Sequence, residues 1–150
     1  MKWLVLLAAT LAGCVTRAPI PTVILTAPLP PDKYAQTFCS LNNQPYVVAD
    51  TGILTIAEFE GIVIHEETHV AQARAFRGGC WPFVYRYQAD AAFRRRVEFE
   101  AYCAEGRWLI ARNRRPDVVW NRIRDMMEKL YGAASLPNCL YEEPTSQEQT

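Results

Sequence analysis

Histidine occurs only twice in the chain, at positions 65 and 69, inside a segment that reads as a helix on independent grounds. Thr55-Ile56-Ala57-Glu58 has the form of a capping box, in which the threonine hydroxyl caps the first turn and the glutamate reaches back. Ile56, Phe59, Ile62 and Val63 continue as an apolar stripe at helical spacing, and Gly78-Gly79 supply a stop. A helix over about 55–77 follows. Within it, positions 65 and 69 lie on one face a turn apart, so both imidazoles point the same way. Whatever packs on that face must accommodate two imidazoles side by side.

The rest of the domain is arranged in simple units. Asp90 is a good N-cap for a second long helix to about Asn113, and Pro116-Asp117 open a third that ends at Gly132. In the third, Val118, Val119, Ile123, Met126, Met127 and Leu130 form the face expected to turn inward. Tyr46-Val47-Val48-Ala49, between Pro45 and Asp50-Thr51-Gly52, reads as a short strand. Cys80 to Gln88 contains Trp81, Pro82, Phe83, Tyr85 and Tyr87, and is expected to be an irregular aromatic connection. Three helices with at most a small sheet make the expected class mainly α, or α+β with minor β.

Composition narrows the partners. Sixteen basic and sixteen acidic residues give a formal net charge of zero, which argues against nucleic-acid binding. Lys2 precedes an uncharged, largely apolar run from Trp3 to Ala12. That is about half the roughly 20 residues a spanning helix needs, so it reads as a secretory signal. Its end, Leu11-Ala12-Gly13-Cys14, resembles the bacterial lipobox. The resemblance implies that Cys14 is lipidated and becomes the mature N-terminus. With Val15 rather than aspartate next, it also implies anchoring at the periplasmic face of the outer membrane in a diderm host. The expected organisation is a signal peptide over 1–13, a lipidated cysteine with a Pro-rich tether over 14–32, a domain over 33–140 and a flexible polar tail over 141–150.

Residues 65–69 read His-Glu-Glu-Thr-His. Neutral imidazole is a good zinc ligand, and Glu66 beside the first ligand can reach a water rather than the metal. With no third histidine, the remaining ligand must be a carboxylate or a cysteine. The second helix offers Glu98-Phe99-Glu100-Ala101-Tyr102. This pair of segments, over residues 55–108, resembles the gluzincin superfamily of HExxH zinc metallopeptidases, whose second helix carries a ligand glutamate. The resemblance implies Zn2+ held by His65, His69 and a glutamate, with Glu66 as general base in peptide-bond hydrolysis. Glu98 is favoured as ligand over Glu100, which projects about 200° away around the helix. That choice puts Tyr102 where the family has an aspartate supporting a ligand histidine. Tyr85, Tyr87 or an arginine is left to stabilise the developing oxyanion. The implied partners are a peptide or protein substrate in the cell envelope and, through the lipid, a membrane. The alternatives are a non-catalytic zinc-binding lipoprotein and an interaction module using the aromatic stretch 81–87.

Beyond Cys14, the even set Cys39, Cys80, Cys103 and Cys139 lacks C-x-x-C spacing and points to two disulfides in an exported chain. If the two long helices are antiparallel and meet at Glu98, Cys103 lies toward the start of the first helix and Cys80 past its end. Cys39, preceding that helix, is expected near its start. Cys39–Cys103 and Cys80–Cys139 are therefore favoured, and Cys80–Cys103 disfavoured.

Overall fold

The computed structural model describes residues 24–27, 29, 34–50, 56–132 and 136–140. The lipobox with Cys14, Thr55 of the capping box and the tail from 141 lie outside the described residues. Along the described chain come β1 (Ile24–Thr26), β2 (Ala35–Cys39), β3 (Pro45–Ala49), α1 (Ile56–Ala75), α2 (Cys80–Ala89), α3 (Ala91–Ala111) and α4 (Pro116–Tyr131). The fold is mainly α with a minor sheet, as expected.

β3, the strand legible in the sequence, is the middle one of a sheet ordered β1-β3-β2. Pro45, Val47 and Ala49 are buried, alternating with partly covered Tyr46 and Val48. β2 pairs antiparallel to it, Cys39 opposite Pro45, and β1 pairs parallel, Ile24 opposite Val47. β1 falls within the stretch expected to be a tether, so the sheet takes in part of it. The β2–β3 turn places Asn43 at φ 60°, in a left-handed conformation that asparagine tolerates. Its amide accepts from the Trp81 N–H at 2.8 Å and donates to Gly78 O at 2.7 Å, clamping the turn to the bend after α1.

Gly78 and Gly79, at φ 93° and 84°, make that bend. The next residues form α2 and not the irregular connection expected. Cys80, Phe83, Val84 and Tyr87 recur at helical spacing and face the core. Pro82 is tolerated because a first-turn N–H has no helical partner to lose. The period is hidden in the sequence because the outer face carries Trp81 and Tyr85, as aromatic as the inner one. α3 begins as expected, with Asp90 accepting from Phe93 N at 2.9 Å. α4 begins at Pro116 and ends on left-handed Gly132. It buries Val119, Ile123 and Met127, with Met126 partly covered. Val118 and Leu130, expected inward, are more than half exposed. A helix lying at the edge of the domain hides only a narrow stripe, and these two residues flank it.

α3 runs antiparallel to α1. Phe76 meets Phe93, Gln72 bonds to Val97 O, Gly61 lies against Glu105 and Trp108, and Glu60 pairs with Arg112. One apolar cluster joins Ala73, Cys80, Phe83, Phe93 and Val97. A second joins Val119, Ile123 and Met127 to Leu140. Gly106 on α3 allows that close approach: a Cβ there would stand 2.6 Å from a Leu140 methyl and 2.7 Å from one of Ile123.

The disulfides are Cys39–Cys80 and Cys103–Cys139, with Cα separations of 5.7 and 5.8 Å. Cys80 and Cys103 are not joined, as an antiparallel helix pair requires, but the expected Cys39–Cys103 and Cys80–Cys139 pairing is not found. The reason is the hairpin. After Cys39 the chain turns at once, and β3 carries it back toward the start of α1. Cys39 therefore lies at the far end of α1, beside Cys80. Peptide mapping without reduction should recover Cys39–Cys80 and Cys103–Cys139 fragments. Removing either bridge as a Cys→Ala pair should lower the unfolding free energy by roughly 2–4 kcal/mol in denaturant titrations. Recovery of a Cys39–Cys103 fragment would refute the hairpin placement.

Candidate metal centre

α1 presents His65 and His69 to α3, and α3 answers with Glu98. His65 Nε2 stands 3.4 Å from Glu98 Oε2, and His69 Nε2 stands 3.4 Å from Glu98 Oε1. One ligand atom from each residue lies within 4.8 Å of the others. The three residues are 8, 6 and 4 % exposed. A carboxylate taken this far out of water between two imidazoles needs a cation beside it, either protons on the rings or a metal ion. Two imidazole nitrogens and one carboxylate converging on one point can hold such an ion. Glu98 is thus the carboxylate that meets both histidines. Glu100 is exposed and points elsewhere, as its position around the helix predicts.

Glu100 nonetheless contributes. Gln72 Nε2 donates to Glu100 Oε2 at 2.8 Å and to Val97 O at 3.1 Å. Both partners only accept, so the amide orientation is set and Gln72 Oε1 faces His69 Nδ1 at 2.8 Å. With a metal bound, His69 would then carry its one proton on Nδ1, and the Nε2 lone pair would be directed into the cluster. On His65, Nδ1 is buried and lies 3.6 Å from Glu105 Oε2, just beyond hydrogen-bond reach. Glu105 is itself buried and pairs through its other oxygen with Arg122 at 3.5 Å. The carboxylate beside His65 Nδ1 therefore comes from position 105. Tyr102 packs its ring edge-on against His65 with centroids 4.4 Å apart.

Glu66 is also buried and is held from the sheet. The Thr37 hydroxyl on β2 donates to Glu66 Oε2 at 2.7 Å and approaches Glu66 O at 3.2 Å, and among the described residues Oε1 has no hydrogen bond. The two candidate tyrosines part company. They lie two residues apart on α2 and so point to opposite sides. Tyr87 donates to Glu98 Oε1 and its ring stands beside His69. Tyr85 is 75 % exposed, away from the cluster. Tyr131 at the end of α4 interacts with both Glu98 and Tyr87. Burial, and then the charge of Glu98, pushes the phenols of Tyr87, Tyr102 and Tyr131 above their ordinary range, so all three stay protonated as donors.

Gln72, Glu105, Thr37 and Tyr131 escape a sequence reading. Two had a visible signal: Gln72 follows His69 by three residues and Glu105 follows Glu98 by seven, both on the same helical face as the ligand. Thr37 and Tyr131 reach the site only through tertiary packing.

The charges of the metal-free centre compensate one another. Burial alone would lower the His65 pKa, but the carboxylates of Glu105 and Glu98 override it and raise it from 6.5 to about 9. Burial would raise Glu98, but His65 and His69 hold it well below the usual carboxylate range. A raised histidine pKa stabilises the fold fully below the unfolded value and loses that contribution as pH rises through the folded value. Metal-free protein should therefore lose thermal stability between pH 6.5 and about 9. A bound metal replaces the proton and should flatten that fall. A metal-free melting profile that is level across this range would contradict the charge arrangement. A Gln72→Leu substitution should weaken metal affinity by about 10–100-fold by releasing the His69 ring. Unchanged affinity in a chelator competition would remove Gln72 from the centre. Compared with known proteins, the chain matches no family model, no curated protein and no solved structure, so the reading of the centre rests on its own geometry.

Proposed function

We propose that the protein is an exported, lipid-anchored zinc metallopeptidase of the HExxH type. The observation that carries this reading is Glu66, a buried carboxylate adjacent to a proposed ligand histidine, with one oxygen tied to Thr37 and no hydrogen bond at the other among the described residues. A metal site that only staples a fold has no use for such a group. The donor set of two imidazoles and a carboxylate suits zinc. When bound, zinc supplies Lewis acidity for hydrolysis of a peptide bond. His65, His69 and Glu98 hold the ion, with the His69 proton kept on Nδ1 by Gln72. Thr37 holds Glu66 in one orientation, so Oε1 takes a proton from the attacking water and later returns it to the leaving amine. Tyr87 donates its one hydroxyl proton to Glu98 Oε1 and so keeps that carboxylate oriented. Tyr85 has no part in this reading. Secretion and anchoring through Cys14 are supported by the Lys2-led apolar run and the Leu-Ala-Gly-Cys ending.

A second reading, a zinc-binding lipoprotein without catalysis, is favoured by one observation: all three ligand residues are less than one tenth exposed. The two readings separate on a single substitution. Purified protein should contain about one zinc per chain, lost in His65→Ala and His69→Ala. Glu66→Gln should keep the metal and lower peptide hydrolysis by about 10²–10⁴-fold. If Glu66→Gln turns over a mixed peptide library as fast as wild type, Glu66 is not the base. If the zinc-loaded wild type cleaves nothing in that library, the non-catalytic reading stands.

A further inference from the structure

One end of the molecule is apolar where it meets solvent. Leu41 at the β2–β3 turn is 98 % exposed, and Trp81 is 50 % exposed. Tyr85, one turn further along the same face of α2, is exposed as well. These side chains stand on a rigid platform. The Trp81 indole N–H donates to Ser40 O at 3.1 Å, its backbone N–H is held by Asn43, and the Cys39–Cys80 bridge joins the same two elements one residue away. Arg77, in the bend between α1 and α2, is exposed.

The chemistry of that set fits a lipid interface. Indole and phenol rings favour the headgroup level, a leucine reaches the acyl boundary, and an exposed arginine meets anionic headgroups. The topology points the same way. β1 runs parallel to β3, so the chain enters the domain at Ile24 on the end where β3 leaves the turn. Nine residues lie between Cys14 and Ile24, making ten steps along the chain. Those ten steps span at most about 36 Å fully extended. A lipid on Cys14 would hold this end of the domain beside the bilayer at an effective concentration on the order of millimolar, enough to populate a weak contact.

We propose that the turn end of the domain, through Leu41, Trp81 and Tyr85, docks on the surface of a lipid bilayer with the C-terminal end of α1 toward the membrane. The proposal rests on the membrane anchoring of the proposed function, and its test keeps the two apart. Full-length protein labelled with 5-fluorotryptophan is bound to vesicles of phosphatidylethanolamine and phosphatidylglycerol. Sedimentation then reads attachment, and a nitroxide-labelled lipid reads proximity at each tryptophan. Trp81 should broaden several-fold more than Trp108 and Trp120. Leu41→Asp should abolish that difference while the protein still sediments. Attachment with Trp81 as sharp as Trp108 would overturn the docking face and leave the anchor intact. Failure to sediment would overturn both. A Trp81 resonance that shifts with protein concentration and ignores lipid would assign the patch to a second copy of the chain, also overturning the proposal. Cys14→Ser tests the anchor alone: unchanged sedimentation removes the lipid from the argument, and Trp81 broadening then still decides the face.

Discussion

A carboxylate enclosed by two imidazoles is the interaction around which this domain is organised. Burying Glu98 without compensation would be strongly unfavourable, so the fold must bring α1 and α3 together in one register and keep both rings aimed at it. The antiparallel helix pair supplies the register, with the Phe76–Phe93 contact at one end and Glu60–Arg112 at the other. Around the three central residues several polar groups find partners on other elements: Gln72 with Val97 and Glu100, Glu105 with Arg122, Thr37 with Glu66. A polar network inside a core contributes to order only when its members are satisfied together. Here the partnered groups link four elements of the fold, while His65 Nδ1 is buried without a hydrogen bond among the described residues.

The small sheet has a defined part in this arrangement. Thr37 and Cys39 are two residues apart on β2 and so share one face of the strand. Thr37 reaches the helix that carries the histidines, and Cys39 is bonded to the first residue of α2. The strand is thereby fixed at two points on the helical layer. The orientation of Glu66 depends on the sheet being docked and not on α1 alone.

Much of this was legible in the sequence, where local rules decide. Asp90, Gly78-Gly79, Pro116 and Gly132 mark helix ends through backbone chemistry that operates within a few residues. Helical spacing alone places His65 and His69 on one face and sets Glu98 apart from Glu100. What the sequence hides is non-local. α2 escapes because its two faces are equally aromatic. β1 and β2 escape because a three-residue and a five-residue strand gain their identity from pairing with β3. The disulfide partners are misread because the direction of one hairpin decides which end of α1 Cys39 occupies. Thr37 and Tyr131 become part of the centre only once the sheet and α4 are packed.

The disulfides divide the oxidised chain into two closed covalent rings, one from Cys39 to Cys80 and one from Cys103 to Cys139. The first ring contains both histidines, and the second begins five residues after Glu98, which sits on the strip of chain between them. No covalent bridge ties that strip to the first ring except the backbone itself. An ion held by His65, His69 and Glu98 would be the clasp there, closing a third loop across the strip. Reduction and chelation would then act on different parts of the architecture: a reductant opens the rings from within, whereas a chelator leaves both rings whole and frees the strip that joins them.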